Sequence, residues 1–423
     1  MLAEHQVALV ALGSRILVLV LPILVSLFPS ILRSYDTSSA LVVSSPLDRL
    51  VSWDAVYFAA ISAPKAANAS YPFEQFHAFF PGLPLLARAG SVPCLMAFGS
   101  GTEAILMSGI LVTNLAFVAA AVVLFRLSEI LLKDRNLAFA SAILFCFSPS
   151  APFLSSLYTE SLFALLAFTG MLLHANDADW LAALVWGLSG LVRSNGIVFC
   201  GFFVYGMVKD VMRFGFARPW VRLICPYRLI LISSIQILVW RTYCVVLQCV
   251  IVIAGFAGFQ YYGFVSFCED GASLQRPWCD STIPLLYSFV QKEYWNVGFL
   301  EYWTLSQLPN FLLASPMLFT SFSSVRAYYE YSPTRFWTLD SGFVESNAVF
   351  PHVVLCLFLT LYCLTSMHVQ VIARFFTSMP CVYWYLAHVV SRGEVWRRRL
   401  VLGWFLGYGA VSVVLFTLFY PPA

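Results

Sequence analysis

The chain has 423 residues, of which 60% are hydrophobic, 17% are aromatic and only 11% are charged. Because soluble domains carry about 25% charged residues, most of this surface cannot face water. This composition excludes a soluble enzyme, a secreted disulfide scaffold and a disordered regulator, and it predicts a multi-pass membrane protein. The formal net charge of +3 indicates little about partners, since the distribution of charge matters more than its sum.

Eleven apolar stretches are candidates for crossing a bilayer core of about 30 Å, which takes about 20 helical residues. Three of them are short, and Arg193-Ser194-Asn195-Gly196 interrupts what would otherwise be one pass, so the number of spans stays open. We expect an all-α polytopic membrane protein with about eleven transmembrane helices in one domain, residues 1–423. The stretches are 8–32, 102–125, 137–154, 161–174, 180–192, 196–208, 229–256, 303–322, 348–366, 375–391 and 400–419.

The distribution of Lys and Arg predicts the orientation of these spans. With the N-terminus in the cytosol, the cytosolic segments hold 14 Lys and Arg in 76 residues, against 8 in 136 residues on the other side. Positive residues concentrate on the cytosolic side of membrane proteins, so this density difference supports the assignment. Merging 180–208 into one pass would divide the basic clusters between the two sides, and we therefore keep two passes there. The run 8–32 is too long for a cleavable signal sequence and reads as the first span.

Two large loops, 33–101 and 257–302, then lie on the non-cytosolic side. The first contains Asn68-Ala69-Ser70, an N-glycosylation acceptor that is used only in a secretory lumen. The second contains Cys268 and Cys279, separated by ten residues, which we predict to pair as a disulfide in an oxidising lumen. The alternative is that both cysteines stay reduced.

Ionisable groups near the membrane faces are candidates for a site, because a charge at membrane depth is costly. Asp54 follows Trp53 and leads an apolar run, 55–61, that is typical of an interfacial helix. Glu160 has a second interpretation, since an acidic residue after Thr159 suits a helix N-terminus. The remaining candidates are Asp48, Glu74, Arg193, Arg241, His368 and Arg374.

Two aromatic stretches, 79–84 and 294–299, adjoin the predicted spans. Aromatic belts are common at membrane interfaces. Flat aromatic faces interleaved with Asn, Gln and Glu also suit sugar rings, and composition alone does not separate these interpretations.

Several blocks together resemble the PIG-V family of mannosyltransferases. They include Trp53-Asp54-Ala55-Val56-Tyr57-Phe58 and His77-Ala78-Phe79-Phe80-Pro81-Gly82-Leu83-Pro84 in the first large loop. Each block would be weak alone, but they follow one another in order along most of the chain. Segments 209–228 and 323–347 carry no motif that matches. The other blocks are 158–163, 193–196, 283–291, 294–300, 368–370, 374–376 and 383–385.

The resemblance implies a C-type glycosyltransferase fold in the endoplasmic reticulum membrane, with a lumenal active site and short interfacial helices in the loops. It implies transfer of the second mannose of the GPI core, in α-1,6 linkage, from dolichyl-phosphate mannose to the mannosyl-glucosaminyl-phosphatidylinositol lipid. A β-linked donor that gives an α-linked product means inversion by single displacement. No nucleic-acid partner is implied, and the sequence leaves open whether a small membrane accessory subunit is needed.

The chemistry of this transfer calls for particular groups. The acceptor hydroxyl is a weak nucleophile that needs a general base, for which Asp54 fits. The leaving phosphate needs cationic hydrogen-bond donors, and Arg374, Arg193 and His368 fit that requirement without a metal or other cofactor. We expect Arg374 at the N-terminus of the tenth span, binding phosphate through its planar fork of N–H groups. The further predicted substrate contacts are Trp53, Glu160, Asn195, Trp295, Asn296 and Gln370.

Three other functions remain alternatives at this point. Another dolichol-dependent mannosyltransferase is the nearest. A transporter would also have many spans, but no inverted repeat is visible and transport does not require a carboxylate at the membrane edge of a large loop. A non-catalytic subunit would not need Asp54.

Overall fold

The structure, a computed structural model, describes residues 2–28, 34–41, 46–63, 70–98, 101–216, 227–269, 276–331 and 349–422. All regular secondary structure in these ranges is helical. Asn68 lies outside the described residues, so its predicted glycosylation stays a prediction. The α-helices are α1 Leu2–Ser26, α2 Asp54–Ser62, α3 Gly82–Ala89, α4 Ser91–Phe98, α5 Gly101–Leu132, α6 Arg135–Cys146, α7 Glu160–Ala175, α8 Asp179–Ser189, α9 Cys200–Phe216, α10 Tyr227–Phe264, α11 Leu286–Trp295, α12 Leu308–Tyr331, α13 Phe350–Ser366, α14 Ile372–Phe375, α15 Pro380–Arg392, α16 Val395–Leu402 and α17 Gly409–Thr417.

Four helical stretches within these ranges are long and apolar enough to cross a membrane: Leu2–Ser26, Gly101–Leu132, Leu238–Glu269 and Val395–Thr417. They overlap the first, second, seventh and eleventh predicted spans. Shorter apolar helices include α6, α7 and α13. The prediction of an all-helical, multi-pass membrane protein is therefore confirmed, while most of the other predicted spans correspond to shorter or broken helices.

The predicted span 137–154 is helical only through α6. The chain cannot continue the helix because Pro149 and Pro152 lack the N–H group that an α-helix requires and clash with the preceding turn. Residues 147–159 instead form turns and irregular backbone, almost all of it buried. This segment ends at Glu160, so its path determines where the start of α7 lies.

Arg15, in the first predicted span, holds this irregular segment in place. Its guanidinium donates to the carbonyl oxygens of Cys146 at 2.9 Å and Ala151 at 3.3 Å, and to the hydroxyl of Ser155 at 3.0 Å. The guanidinium carbon lies 3.8 Å from the centroid of the Phe117 ring. Arg15 is only 2% exposed. Buried backbone carbonyls need hydrogen-bond partners from the protein itself, and Arg15 supplies them where the helix is interrupted.

The expectation that Arg374 stands at the N-terminus of the tenth span is wrong. Arg374 lies in the single turn α14, which a 3₁₀ turn, Phe376–Ser378, separates from α15. Helix α15 begins only at Pro380. Proline suits the first position of a helix, because its fixed φ is the helical value and the N–H group that it lacks would have no partner there. The Arg374 guanidinium therefore belongs to the short helical turns that connect α13 to α15.

The first large loop packs into the protein. The predicted helix over 55–61 is confirmed as α2, but its apolar residues Ala55, Phe58, Ala59 and Ile61 are each at most 4% exposed and belong to the main core. This packing fixes the position of Asp54, the first residue of α2.

The second large loop begins later than predicted, because α10 continues to Phe264 and a π-helical turn carries the chain on to Glu269. The loop is tied to the first one through Glu74, which is 3% exposed. The Glu74 carboxylate accepts from Trp278 Nε1 at 2.9 Å, from Arg276 Nη1 at 3.2 Å and from the Tyr294 hydroxyl at 3.3 Å.

Cys268 and Cys279 are joined in the structure as a disulfide, with Cα atoms 5.8 Å apart. We expect mass spectrometry of the non-reduced, denatured protein to find one peptide linked through these residues. The free cysteine Cys244 should be alkylated under the same conditions. Recovery of Cys268 and Cys279 as alkylated thiols from native membranes would show that the bond does not form in the cell.

His77 lies in the first large loop with 1% of its surface exposed, packed against the rings of Tyr71 at 4.7 Å, Phe259 at 5.3 Å and Tyr262 at 5.9 Å. Burial lowers the pKa of His77 to about 4 from an ordinary value of 6.5. The folded protein therefore holds this imidazole neutral at physiological pH.

Acid should destabilise the protein through His77. A folded-state pKa below the unfolded value means that stability is intact above pH 6.5 and is lost as the pH falls toward 4, by about 2 kcal/mol at pH 5. His77→Phe keeps the ring but cannot bind the proton. The melting temperature in detergent should fall between pH 7 and pH 5 by more in the wild type than in this variant. If the melting temperature fell equally in both proteins, His77 would not be the source of the acid destabilisation.

Candidate active site

A cavity of about 400 Å³ opens between the first large loop, the segment before α7, the α8–α9 connection and the segment around α14. Its lining brings together residues that lie more than 300 positions apart in the chain. Most of the predicted site residues line it, namely Trp53, Asp54, Arg193, Trp295, His368, Gln370 and Arg374.

Four charged side chains form a connected network at this cavity. Arg374 donates from Nη1 to Asp54 Oδ2 at 2.8 Å and from Nε to Glu160 Oε1 at 2.6 Å. Arg193 Nη1 reaches the same Glu160 oxygen at 2.7 Å. The Glu160 side chain is fully buried, whereas that of Asp54 is 36% exposed. Asp54 therefore presents a carboxylate to the cavity, while Glu160 lies behind it and holds two arginines together.

Glu160 is the first residue of α7. The partial positive charge of the helix N-terminus favours a carboxylate there, so the expected helix-end role and the ion-pair role coincide in one residue. A buried carboxylate normally needs charged partners to remain ionised, and Arg374 and Arg193 provide them. The network of two carboxylates and two guanidiniums is formally neutral before any substrate enters.

Tyr158 fixes the position of the Asp54 backbone. Its hydroxyl accepts a hydrogen bond from the Asp54 N–H at 3.0 Å and donates to the Ser52 carbonyl at 3.1 Å. Burial raises the pKa of Tyr158 well above its ordinary value, so the hydroxyl stays protonated and can continue to donate. Trp53, between Ser52 and Asp54, has a positive φ of 56°, which is uncommon for a bulky residue, and it directs the chain into α2.

Arg374 packs against two aromatic rings, in addition to its hydrogen bonds with carboxylates. Its guanidinium carbon lies 4.7 Å from the Phe153 ring centroid and 5.0 Å from that of Tyr158. Burial alone would lower the pKa of Arg374, but Glu160 and Asp54 hold it above its ordinary range. Two of its five N–H groups bond to carboxylates, and a planar fork has further N–H groups to offer an anion in the cavity.

His368 and Gln370 are held by neighbours at the same cavity. His368 Nε2 lies 2.7 Å from the Trp295 carbonyl oxygen, which makes this nitrogen the protonated one, and its ring stacks on Tyr302 at 4.6 Å. Gln370 Oε1 accepts from the Tyr302 hydroxyl at 2.6 Å. Of the ring nitrogens of His368, Nδ1 is therefore the one that remains for a ligand.

Three of the predicted substrate contacts do not line the cavity. Asn296 has φ of 51° and ends α11 in the left-handed conformation, a helix-terminating position that asparagine tolerates well. Asn195 is 8% exposed, and neither atom of its side-chain amide has a hydrogen-bond partner among the described residues. Glu160 also lies outside the lining, and its carboxylate pairs with the lining residues Arg193 and Arg374.

Several lining residues were not predicted as site residues. Phe153 and Tyr158 lie in the segment that the sequence assigned partly to a span. Tyr158 is the first residue of the block 158–163 that resembles the family, and this was the one signal that could have found it. Pro421 and Pro422 gave no signal at all, since they lie beyond the last predicted span. Within the described ranges, no group of three or more His, Cys, Asp or Glu could hold a metal ion.

Comparison with known proteins identifies the family. The family model described as Mannosyltransferase (PIG-V) matches residues 4–423. The chain belongs to the PIG-V mannosyltransferase family. It is therefore a glycosyltransferase, and its charged cavity is the candidate active site of a membrane enzyme.

Individual relatives cover nearly the whole chain. The GPI alpha-1,6-mannosyltransferase 2 of Homo sapiens is 32% identical over 94% of this chain and 86% of its own length. The GPI mannosyltransferase 2 of Yarrowia lipolytica is 31% identical over 95% of each chain. That of Chaetomium globosum is 31% identical over 92% of this chain and 90% of its own. A crystal structure of the Archaeoglobus fulgidus oligosaccharyltransferase aligns with a TM-score of 0.48 and 13% identity over 99% of this chain and 53% of the other.

Proposed function

We propose that this enzyme transfers a mannose from dolichyl-phosphate mannose to the mannosyl-glucosaminyl-phosphatidylinositol lipid, forming the α-1,6 linkage of the second GPI mannose. The observation that carries the proposal is the Asp54–Arg374 pair in the cavity, with Arg193 beside it. The names of the relatives supply the linkage and the acceptor class. The same proposal places the cavity on the lumenal face of the endoplasmic reticulum membrane and the chain in the C-type glycosyltransferase fold.

The reaction balances within the charged network. The acceptor hydroxyl gives its proton to Asp54 as its oxygen bonds to C1 of the donor mannose. The bond from C1 to the phosphate oxygen breaks, and its electron pair leaves with dolichyl phosphate. The phosphate gains one negative charge while Asp54 loses one, so the total charge in the cavity does not change.

The ion pair at Asp54 couples these two events. As Asp54 takes the proton, its attraction for Arg374 weakens, because the carboxylate becomes neutral. Arg374 is then held by Glu160 and is available to the phosphate at the moment when that group gains charge. Arg193, bound to the same Glu160 oxygen, adds a second cation. Stabilisation that grows as charge develops lowers the barrier more than equal binding of donor and product would.

An apolar groove supports a lipid-linked donor. It has a volume of about 350 Å³ and lies between the start of α9 and the helix α13. One of its lining residues, Ile197, is four residues after Arg193. Helix α9 follows the lining segment at Arg193, and α13 ends one residue before the lining residue Met367. Such a groove suits the polyprenyl chain of a donor whose phosphate lies at Arg193 and Arg374. The residues that line it are Ile197, Val198, Gly201, Phe202, Tyr205, Pro351, Val354, Leu355 and Phe358.

The lipid that accumulates when the protein is removed from cells tests the proposed function. A GPI precursor with a single mannose is the expected result. Truncated lipid-linked N-glycan precursors would instead indicate another dolichol-dependent mannosyltransferase, and an unaltered set of GPI precursors would contradict the proposal.

A further inference from the structure

The last described residues of the chain turn back into the charged cavity. After α17 ends at Thr417, Phe419 takes φ of 61°, and the Tyr420 N–H bonds to the Leu415 carbonyl at 2.9 Å. This left-handed turn reverses the chain at the helix end. Pro421 and Pro422, which follow it, line the cavity together with Trp53 and Asp54.

Contacts from three directions hold this segment in place. The Tyr35 N–H donates to the Leu418 carbonyl at 2.9 Å, and the Tyr408 hydroxyl donates to the Pro422 carbonyl at 2.7 Å. The Phe419 ring is 5% exposed and lies 6.1 Å from the Trp53 ring. A rigid proline pair fixed in this way gives a shaped apolar surface at little cost in conformational entropy.

We infer that Trp53, Pro421 and Pro422 form an apolar wall that binds the sugar ring of the acceptor and directs its hydroxyl to Asp54. The inference rests on the proposed function and extends it to residues that determine acceptor binding. Trp53 is 39% exposed, so its indole has surface to offer a ligand in the cavity.

The position of Asp54, the proposed general base, indicates why the acceptor rather than the donor packs against this wall. A general base must lie within about 3 Å of the hydroxyl that it deprotonates, so the acceptor ring must lie directly beside Asp54. The donor phosphate needs the cations, Arg374 and Arg193. Trp53, the neighbour of the base in the chain, offers apolar surface in this cavity, and the proline pair that lines the same cavity is joined to Trp53 through the contact of Phe419 with the indole. Aromatic and proline surfaces pack against the C–H face of a sugar and leave its hydroxyls free to be oriented.

The test compares two wall variants in a detergent-solubilised assay with synthetic donor and acceptor. Trp53→Ala and the double variant Pro421→Ala/Pro422→Ala should each raise the acceptor KM about tenfold, as expected for loss of one aromatic or apolar packing surface, with the donor KM unchanged. If Trp53→Ala folds poorly, the proline variant tests the inference alone. It removes the two proline rings but keeps the backbone carbonyl of residue 422, which accepts the hydrogen bond from the Tyr408 hydroxyl.

Tyr420→Ala is the matched control. Tyr420 belongs to the same segment and packs against Tyr35 at 5.7 Å, but it does not line the cavity. This variant should keep the wild-type acceptor KM. A rise equal to that of the proline variant would mean that the segment only supports the fold, and a rise in donor KM alone would place the wall at the donor. Either result overturns the inference. Failure of the wild type to mannosylate the acceptor would instead overturn the proposed function.

Discussion

Asp54→Asn should lower the turnover number about 100-fold or more, because the amide keeps the size of the carboxylate but cannot accept the proton from the acceptor hydroxyl. The protein should still fold, since α2 is held by its buried apolar face and by the Tyr158 hydroxyl at the Asp54 backbone N–H rather than by the carboxylate. The measurement is the turnover number of purified protein at saturating donor and acceptor.

Asp48→Asn is the control for this prediction. Asp48 lies in the same loop with 34% of its side chain exposed, close to the 36% of Asp54, and pairs with Arg49 outside the cavity lining. It should keep near-normal turnover. Near-normal turnover in Asp54→Asn would remove Asp54 from the role of base, and Glu160 and Glu74 would then be tested.

Arg374→Lys should reduce use of dolichyl-phosphate mannose by about tenfold or more, although it keeps the positive charge. A lysine ammonium has three N–H groups where the guanidinium has five, so bonds to Asp54 and Glu160 would leave it one for phosphate and no planar fork. Arg374→Gln should be worse, because it also leaves Glu160, whose side chain is fully buried, with Arg193 as its remaining cation. The measurement is donor saturation kinetics, with the amount of folded protein determined in parallel.

Arg126→Lys provides the comparison, since Arg126 forms an exposed pair with Glu4 and does not line the cavity. Its donor kinetics should match the wild type. Normal donor saturation in both Arg374 variants would show that Arg374 does not bind the donor phosphate, and Arg193 would then be the residue to test.

The main residues of the site were predictable because charge near the membrane is rare in this chain. Asp54, Arg193 and Arg374 stood out against an apolar background, and the blocks that resemble the family lie around each of them. Their contact was not predictable, since Asp54 and Arg374 are 320 positions apart and only the packing of broken helices brings them within 2.8 Å. Nor could the sequence show that Glu160 binds both arginines through one oxygen.

The fold was predictable where hydrophobic runs are uninterrupted and was not where prolines interrupt them. Hydropathy assigned 137–154 to one span, although Pro149 and Pro152 break the helix there and Arg15 stabilises the irregular backbone that results. An arginine inside an apolar run has no visible partner in a sequence, because its hydrogen bonds go to backbone carbonyls whose positions depend on the fold. The same reason explains why Pro421 and Pro422 were missed: lining a cavity is a property of where the chain turns.

The most direct test of the proposed chemistry is the product made by the purified wild-type enzyme from synthetic dolichyl-phosphate mannose and a mannosyl-glucosaminyl-phosphatidylinositol acceptor. The single displacement at Asp54 and Arg374 predicts one added mannose in α configuration on the primary hydroxyl, assigned by NMR, and loss of that product in Asp54→Asn. A β-linked product, or an α-linked product formed equally well by Asp54→Asn, would contradict it.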